Sequence, residues 1–543
     1  MSRPAQQQIF RHLTNHIVHW FCLVACGLGF TNRLAAQTWT NANFTASQRA
    51  DALLAAMTQA EKMAMVSGAG GAYIGNIPGN KRLGIPALGF QDGPGGAGDW
   101  NTGVTAFPAP ICIAASWDEA LMRQYGTYIG EEERGKGGQV LLGPTMNMAR
   151  AYQNGRNFES YGEDPYLSFV MAAAHVQGIQ SQGVIATAKH FVCNDEETDR
   201  WLVSADADER TRQEIYYPPF RAAVDAGVGA IMASYNRVNG RSACESEALN
   251  ATVKKLWGYD GFIMSDWDAY FSTVGAANNG LDMDMYNNAF GSDPLAAAIH
   301  AGNVPEADLD GMVQRILTTM FRLGDFDHPT TGKLSATVTS LAHAQFDRDA
   351  AAAGTVLLQN KNSLLPLNTR AIKSIAVIGA VAGTKPISTG LGSGSVPLPY
   401  DTTPLAGISQ RAGTDITVNY SVGDGNIPAA VALARTSDIV VVCVGERTGE
   451  SRDRTSLSLP GDQDTLVSAV AAVNSNTIVV VYCSSATLLP WSANVAAALV
   501  AWYPGQENGH ALAKILFGDA NPSGKLPVTF PGTASEVPAN TPA

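Results

Sequence analysis

Cysteine is scarce in the sequence, and the cysteines that are present are scattered. Only seven of the 543 residues are cysteines, and those that follow residue 36 lie far apart, at Cys112, Cys193, Cys244, Cys443 and Cys483. An odd, dispersed set does not indicate a disulfide framework. No CxxC motif, Cys/His pair or HExxH motif has the spacing of a zinc site. We therefore expect neither a disulfide scaffold nor a metal ion or other cofactor.

Clusters of basic residues are lacking as well. The sequence has 36 Lys and Arg residues against 48 Asp and Glu residues, a formal net charge of −12 at pH 7. Nucleic acids and anionic membrane surfaces are therefore poor candidates for partners. A glycine-rich loop at residues 390–394 lacks GxGxxG spacing directly after a strand, and the sequence contains no GK[ST]. We interpret it as an ordinary loop, so a dinucleotide-dependent enzyme is an alternative that rests on this loop alone.

The first 36 residues have the pattern of a targeting segment. Arg3 and Arg11 precede an apolar run at residues 20–30, and small residues end the segment. This pattern predicts a secretory signal peptide over residues 1–36, and the run is too short to span a bilayer. Secretion also agrees with three N-glycosylation sequons, at Asn43, Asn250 and Asn419. We therefore expect a secreted, extracellular protein.

The length of the chain indicates two domains. Over residues 37–325, short apolar runs alternate with helical patterns, and polar motifs follow the runs. The runs lie at residues 86–90, 110–114, 140–142, 184–187, 230–233 and 262–264, and the helical patterns include residues 47–63, 168–181 and 212–226. Repeated strand–helix units predict a parallel sheet. Their number indicates a (β/α)8-like barrel, with the polar motifs on one rim.

The second half of the chain has a different pattern. Residues 326–349 carry Pro, Thr and Gly without strong periodicity, which predicts a linker. In the second domain, residues 350–543, near-continuous apolar runs indicate strands covered on both faces. These runs lie at residues 375–378, 439–444, 478–483 and 498–502, with helical patterns at 429–435, 464–473 and 511–517. The predicted fold class is therefore α/β, a barrel followed by a three-layer α/β sandwich.

Two residues stand where a core strand meets a loop. The apolar run at residues 262–264 leads into Ser265, Asp266 and Trp267. A carboxylate at the end of a barrel strand is typical of a catalytic residue, and an indole offers a flat apolar face that suits a sugar ring. The alternative is that Asp266 caps the next helix, because Asp is a favoured N-cap residue.

Further polar residues follow the other predicted strands. A hydroxyl-rich ring needs hydrogen-bond donors and acceptors around one apolar platform, and these residues supply that mixture: Asp92, Arg156, Lys189, His190, Tyr235 and Trp267. The alternative is structural ion pairing. Lys189 and His190 would then pair with Asp195 or Glu196, and Arg156 would pair with Glu159.

Hydrolysis of a glycosidic bond needs a second carboxylate on the other side of that bond. The predicted strand at residues 439–444 leads into a polar loop at residues 445–460, which is long enough to reach over the barrel rim. Glu446 and Glu450 in this loop are both candidate acids. The alternative is that the loop is a solvated charge cluster.

The order and spacing of several motifs resemble glycoside hydrolase family 3, the β-glucosidase and β-xylosidase family. The resemblance covers nearly the whole chain after residue 36. The motifs that carry it are QDGPGG at 91–96, NGRNFESYGEDPYLS at 154–168, ATAKHFVCNDEE at 186–197, DERTRQEIYYPPF at 208–220, ASYNRVNG at 233–240, MSDWDA at 264–269, GLDMDM at 280–285, LLQNKNSLLPL at 357–367 and NPSGKLPVTFP at 521–531.

The resemblance implies a retaining mechanism. Asp266 matches the family's nucleophile, and Glu450 matches the acid/base in its TGE-type loop, with Glu446 close by in the same loop. The residues that match the family's sugar-binding subsite are Asp92, Arg156, Lys189, His190 and Tyr235, and Trp267 flanks them. Retention requires the two carboxyl groups to lie roughly 5–5.5 Å apart.

The sequence departs from the family pattern in several places. A basic residue often follows QDGP but is absent from residues 97–100, so one sugar contact is expected to be missing or supplied elsewhere. Ala233 stands where a cysteine often opens the SYN motif, so Cys244 is expected to lack that partner. Many relatives continue into a fibronectin-type domain, so we expect a two-domain member or a truncated one. Residues 191–193 lack the KHFPGHG loop of the hexosaminidase branch.

The expected function is that of a secreted, retaining β-glucosidase. It would remove terminal non-reducing β-D-glucosyl residues from cellobiose-like oligosaccharides or other glucosides, as in cellulose degradation. One alternative is a β-xylosidase or another exo-β-glycosidase of the same family. Another is a non-catalytic carbohydrate-binding protein on the same scaffold.

Overall fold

The computed structural model describes residues 38–98, 100–286 and 288–537. The predicted signal peptide, residues 1–36, lies outside the described residues. No described helix has both the length and the apolar character needed to cross a bilayer. The five cysteines of the described chain are buried free thiols, and Cys244 is one of them.

Within the described ranges, fifteen strands form three sheets. Those of the N-terminal half are β1 (Gly75–Ile77), β2 (Leu88–Asp92), β3 (Val140–Leu142), β4 (Ile185–Phe191), β5 (Ser204–Ala205), β6 (Ala230–Ala233), β7 (Arg237–Val238), β8 (Arg241–Ser242) and β9 (Phe262–Ser265). Those of the C-terminal half are β10 (Val356–Asn360), β11 (Ser374–Ile378), β12 (Thr417–Ser421), β13 (Ile439–Gly445), β14 (Thr477–Tyr482) and β15 (Ala497–Val500).

The described α-helices lie mostly between these strands. They are α1 (Ala46–Leu54), α2 (Gln59–Met63), α3 (Pro110–Ala114), α4 (Glu119–Lys136), α5 (Pro165–Gln180), α6 (Glu209–Thr211), α7 (Tyr217–Asp225), α8 (Thr273–Asn279), α9 (Ser292–His300), α10 (Glu306–Leu323), α11 (Leu341–Gly354), α12 (Pro404–Ala412), α13 (Ile427–Arg435), α14 (Gln463–Ala471) and α15 (Asn508–Leu516). Two π-helical segments, Arg212–Tyr216 and Leu249–Leu256, also lie between β5 and β9.

The N-terminal lobe is built on a curved sheet in the order β1-β2-β3-β4-β6-β9. All neighbours are parallel except β1 and β2. Isolated bridges extend the sheet beyond β9, from Met264 to Met283 and from Asp284 to Ser67, and a last bridge joins Ala69 to Asn76 in β1. Strand-like segments therefore continue around the ring, which confirms the predicted barrel-like fold and adds one antiparallel strand to it. We call this part the barrel lobe.

The C-terminal lobe contains a sheet in the order β10-β15-β14-β13-β11-β12. Its strands are parallel except for β10, which runs antiparallel to β15. All residues of β13 and β14 are buried. Helices α11, α12 and α15 pack together in one layer, and α13 packs on α14 in another. This arrangement confirms the predicted three-layer sandwich, and we call it the sandwich lobe.

Three predicted segments differ from the structure. Residues 110–114 form the helix α3 rather than a strand. Pro110 occupies the first turn of that helix, where its missing N–H would have had no partner within the helix. Residues 47–63 form two helices, because Thr58 caps a new helix and forms a reciprocal capping box with Glu61. The predicted linker, residues 326–349, includes the first part of α11.

Candidate active site

A cavity of about 420 Å³ lies at the rim of the barrel lobe. The barrel residues that line it come from the end of β2, from β4, from β6 and the residues after it, from the residues after β9, and from the loops that carry Ile74, Trp100 and Arg156. Loops of the sandwich lobe form the opposite wall, at Gly392, Ser393 and Glu450. The lining includes all the residues that the sequence singled out for the site except the alternative acid Glu446: Asp92, Arg156, Lys189, His190, Tyr235, Asp266, Trp267 and Glu450. Ile74, Trp100 and Met232 complete it.

Asp266 follows the last residue of β9 and is 6% exposed. The backbone N–H of Trp267 donates a hydrogen bond of 2.8 Å to its Oδ1. Its Oδ2 lies 3.7 Å from His190 Nε2 and accepts no hydrogen bond from the described residues. The nearest following helix is α8, which Ser272 caps, so the interpretation of Asp266 as a helix cap is wrong. One carboxylate oxygen of this cavity-lining residue is therefore held by a hydrogen bond, while the other is buried without one.

Burial raises the pKa of Asp266, and the guanidinium groups of Arg200 and Arg156 oppose this rise. The carboxylate of Glu450 adds to the rise, because two like charges in one cavity disfavour each other. The charge state of Asp266 therefore depends on the cations around it as well as on Glu450.

Glu450 is bound by three donors. Arg200 Nη2 lies 2.9 Å from Glu450 Oε1, and Arg156 Nη1 lies 3.4 Å from the same oxygen. The backbone N–H of Ser393 donates to Oε2 at 2.9 Å. Burial alone would raise the pKa of Glu450, but the two guanidinium groups and Ser393 outweigh it and hold that pKa well below its usual range. Glu450 is thus an oriented carboxylate rather than part of a solvated charge cluster.

Glu446 has a different location from Glu450. Its carboxylate forms a buried ion pair with Arg454, and burial raises its pKa against the effect of that arginine. It lines a separate cavity of about 900 Å³ in the sandwich lobe, which does not include Asp266. Of the two candidate acids in the loop, only Glu450 shares a cavity with Asp266.

The barrel residues that face the cavity are linked to one another. Lys189 Nζ lies 3.5 Å from Asp92 Oδ1, and His190 Nδ1 lies 2.8 Å from Asn147 Oδ1. Burial and the cations nearby hold the pKa of His190 well below its usual range, so the ring is neutral. Because the amide oxygen of Asn147 is a hydrogen-bond acceptor, Nδ1 of His190 carries the proton. Its Nε2 can then accept a hydrogen bond from a hydroxyl group.

Of the ion pairs considered as alternatives to sugar binding, the one between Arg156 and Glu159 is present in the described chain, and those of Asp195 with Lys189 or His190 are not. Asp195 accepts a hydrogen bond from Tyr216 instead of pairing with Lys189 or His190. Arg156 does pair with Glu159, through Nε at 2.9 Å and Nη2 at 2.8 Å. This pairing orients the guanidinium group so that Nη1 reaches Glu450.

Sequence reasoning missed Arg200. Its Nη1 lies 2.6 Å from Glu197 Oε2, its Nη2 reaches Glu450, and its guanidinium group lies 4.2 Å from the ring centre of Tyr235. The sequence feature that could have indicated Arg200 as a site residue is the dense group of charged residues directly after β4. Sequence reasoning treated that group only as a source of partners for Lys189 and His190.

The glycine-rich loop was also misjudged, because residues 392 and 393 line the cavity. Gly392 has φ +79°, and a Cβ atom built on it would lie 2.3 Å from the Cβ of Glu450. The loop therefore approaches the Glu450 backbone at a distance that only glycine permits. The loop thus packs against Glu450 at the wall of the cavity.

This contact yields a first prediction. The substitution Gly392→Ala is expected to displace Glu450. If Glu450 is the acid/base that the family resemblance implies, kcat for an aryl β-glucoside is expected to fall by roughly 10²-fold, the cost of a misplaced catalytic group. Gly425→Ala is the matched control, because Gly425 has φ +70° but open space around it. It carries only the backbone strain of about 1 kcal/mol. Equal activity of the two variants in a steady-state assay would contradict the proposed contact.

Among the described residues, no group of three or more His, Cys, Asp or Glu side chains is arranged to hold a metal ion.

Comparisons with known proteins agree with the two-lobe structure. Residues 72–319 match the model for the glycosyl hydrolase family 3 N terminal domain, and residues 355–543 match the model for its C-terminal domain. The chain is 39% identical over 543 aligned residues to a probable beta-glucosidase L of Aspergillus terreus, covering 91% of this chain and 73% of that protein.

Solved structures show the same fold. A β-D-glucoside glucohydrolase from Trichoderma reesei superposes with a TM-score of 0.86 at 35% identity, covering 90% of this chain and 74% of that one. DesR, a β-glucosidase from Streptomyces venezuelae in complex with D-glucose, superposes with a TM-score of 0.85 at 32% identity, covering 89% and 78%.

Proposed function

The chain belongs to glycoside hydrolase family 3 and acts on O-glycosyl bonds, and from this premise we propose that it is a secreted, retaining, exo-acting β-glucosidase. One observation carries the proposal. Asp266 from the barrel lobe and Glu450 from the sandwich lobe line the same cavity of about 420 Å³. Glycoside hydrolysis requires two carboxyl groups of the enzyme that flank the glycosidic bond of one bound sugar.

In the first step, Asp266 attacks the anomeric carbon while Glu450 donates a proton to the glycosidic oxygen. The bond to the leaving group breaks, and a covalent glycosyl–Asp266 ester forms. In the second step, Glu450 accepts a proton from water, the water oxygen attacks the anomeric carbon and Asp266 leaves. Two inversions give net retention of configuration.

The charges around Glu450 support the second step most directly. Arg156 and Arg200 favour its ionised form, which is the form that accepts a proton from water. For the first step, the proton must reside on Glu450 while Asp266 is ionised. The negative charge of Asp266 favours that state, and the charge disappears when the ester forms. The two carboxyl groups therefore titrate as a pair.

The choice of substrate rests on cavity size and on the relatives. A volume of about 420 Å³ lies in the range of small-molecule sites, and it supports recognition of a terminal sugar rather than an internal segment of a long chain. The two solved relatives described above are a β-glucoside glucohydrolase and a β-glucosidase. We therefore assign terminal β-D-glucosyl residues of oligosaccharides or glucosides as the substrate. Secretion is supported by the signal-peptide pattern at residues 1–36.

The direct test is the anomeric form of the first product. With an aryl β-glucoside as substrate, proton NMR is expected to show β-glucose before mutarotation produces the α-anomer. Cello-oligosaccharides are expected to lose single glucose units. Initial release of α-glucose would contradict retention. Initial cleavage of cellopentaose into cellobiose and cellotriose, without free glucose, would contradict the removal of single terminal glucosyl units. An aryl β-xyloside assayed beside the glucoside tests the β-xylosidase alternative.

The charges of the site yield a prediction on pH dependence. Arg200 lowers the pKa of both Asp266 and Glu450. The substitution Arg200→Met removes this effect, so both pKa values rise. Both limbs of the profile of kcat/KM against pH are then expected to move to higher pH, by roughly one unit. Arg210→Met is the control, because Arg210 is exposed and pairs only with Glu214. An unchanged profile in Arg200→Met would contradict the electrostatic account.

A further inference from the structure

We propose that Asp453 is a positioning residue that docks the Glu450 loop on the barrel lobe and thereby fixes the reach of Glu450 toward the departing group. This inference rests on the proposed function, because it concerns the residue assigned there as the acid/base. Asp453 itself does not line the cavity with Asp266. It therefore acts through Glu450 and does not touch the substrate.

The carboxylate of Asp453 is surrounded by donors from the barrel lobe. It accepts hydrogen bonds from the backbone N–H of Gly155 at 3.3 Å, of Glu197 at 3.0 Å and of Thr198 at 2.8 Å. The hydroxyl group of Thr198 adds a fourth donor at 2.7 Å. Successive backbone N–H groups that converge on one carboxylate form a small anion-binding concavity. A side chain of the sandwich lobe is thus held in a socket of the other lobe.

The residues next to Asp453 support the same docking. The backbone N–H of Ser451 donates to Glu197 Oε2 at 2.8 Å, and the backbone N–H of Arg454 donates to Gln153 O at 2.8 Å. Earlier in the loop, the hydroxyl group of Thr448 donates to Gly155 O at 2.7 Å. Contacts with the barrel lobe therefore occur on both sides of Glu450.

The same barrel segment also holds the arginine that binds Glu450. Glu197 accepts from Ser451 and pairs with Arg200, and Arg200 reaches Glu450. The donors to Asp453 include the N–H of Glu197 itself. Residues 197–200 therefore contribute both to the docking of the loop and to the orientation of Glu450.

Asp453 and Glu450 are close in the chain, so loss of the hydrogen bonds to Asp453 is expected to displace Glu450. Asp453 is three residues beyond Glu450, a span of at most about 10 Å. A displacement of about 1 Å at a catalytic group is enough to reduce its rate by roughly 10²-fold. Loss of the socket is thus expected to affect proton donation before it affects the fold.

A purely structural role would have different consequences. It would lower the stability of the protein and reduce the activity on all substrates alike. The matched control is Asp438→Asn, because Asp438 also accepts from two backbone N–H groups and a hydroxyl group, those of Lys373 and Ser374. These donors all lie within the sandwich lobe, away from the Glu450 loop.

The experiment compares two substrates in the full-length protein. Phenyl β-glucoside has a poor leaving group that needs a proton, and 2,4-dinitrophenyl β-glucoside has a leaving group that departs without one. For Asp453→Asn, kcat/KM is expected to fall roughly 10²-fold for the phenyl substrate and by less than about fivefold for the dinitrophenyl substrate. Thr198→Val, which keeps the backbone donor and removes the hydroxyl donor, is expected to show the same pattern at roughly tenfold.

Three outcomes decide the inference. Selective loss on the phenyl substrate in Asp453→Asn and Thr198→Val, with no selectivity in Asp438→Asn, supports it. The role of Asp453 alone would be overturned if Glu450→Gln is selective but Asp453→Asn and Thr198→Val are not. These two variants would then show equal losses on both substrates, or no loss. Absence of selectivity in Glu450→Gln would overturn the assignment of Glu450, and this inference with it. Thr198→Val decides the matter if Asp453→Asn does not fold.

Discussion

The substitution Asp266→Asn is expected to reduce kcat for an aryl β-glucoside by roughly 10⁴-fold or more, as the loss of a catalytic nucleophile does in other hydrolases. The amide has the same shape as the carboxylate, so the hydrogen bond from Trp267 and the packing of the site are retained. What is lost is the negative charge of the carboxylate, which in the proposed mechanism attacks the anomeric carbon.

The neighbouring Asp268 provides the matched control. It lies two residues further along the same loop, is exposed and does not line the cavity. Asp268→Asn is therefore expected to keep kcat within about twofold, as surface substitutions usually do. Comparable losses in the two variants would indicate damage to the loop rather than loss of a nucleophile.

Chemical rescue identifies the face of the sugar that Asp266 occupies. In Asp266→Ala, azide has room to enter where the carboxylate was and to attack the anomeric carbon of an activated β-glucoside. The expected product is α-glucosyl azide, since a single displacement inverts the configuration. Recovery of β-glucosyl azide would contradict the role of Asp266.

The second large effect is expected for Glu450→Gln. Without a group that donates a proton, kcat/KM for phenyl β-glucoside is expected to fall by roughly 10²- to 10⁴-fold. For 2,4-dinitrophenyl β-glucoside it should change little, because that leaving group needs no proton. The dependence of kcat/KM on the leaving-group pKa, measured over a series of aryl glucosides, should therefore become steeper than in the unsubstituted enzyme.

Glu446→Gln separates the two acids of the loop. Glu446 pairs with Arg454 and lines the other cavity, so its replacement is expected to affect stability and to leave the leaving-group dependence unchanged. Azide is expected to accelerate turnover of the dinitrophenyl substrate by Glu450→Ala and to yield β-glucosyl azide. Acceleration by azide in Glu446→Ala instead would move the acid/base role to Glu446.

Much of the barrel side of the site is predictable from the sequence. Asp92, Lys189 and Asp266 come at the ends of apolar runs, and the carboxyl ends of parallel strands meet at one rim. A local pattern of this kind is sufficient to bring such residues together. The central strands of the sandwich lobe are also predictable from a local pattern, because β13 and β14 are buried on both faces and are almost entirely apolar.

The parts that were missed depend on contacts between distant segments. Arg200 belongs to the site only because the Glu450 loop of the other lobe reaches it, and no local pattern encodes that approach. The role of Gly392 depends on the position of the Glu450 backbone in the same way. β12 was missed because its residues are half-buried or exposed, so its sequence lacks the apolar run of a central strand.

The choice between Glu446 and Glu450 was open for a related reason. Both residues follow β13 in one polar loop, and either is chemically suitable. The structure separates them by partner, since Glu446 pairs with Arg454 within its own lobe whereas Glu450 pairs with Arg156 and Arg200 of the barrel lobe.

The measurement that tests the central claim most directly is covalent trapping. An activated 2-deoxy-2-fluoro-β-glucoside slows both steps, and its good leaving group allows the glycosyl-enzyme to accumulate. Intact mass spectrometry should then show one added 2-deoxy-2-fluoroglucosyl group per chain, and peptide mapping should place it on Asp266. Inactivation with the label on any other residue, or turnover of the reagent without a covalent adduct, would contradict the proposed pairing of Asp266 with Glu450 across the two lobes.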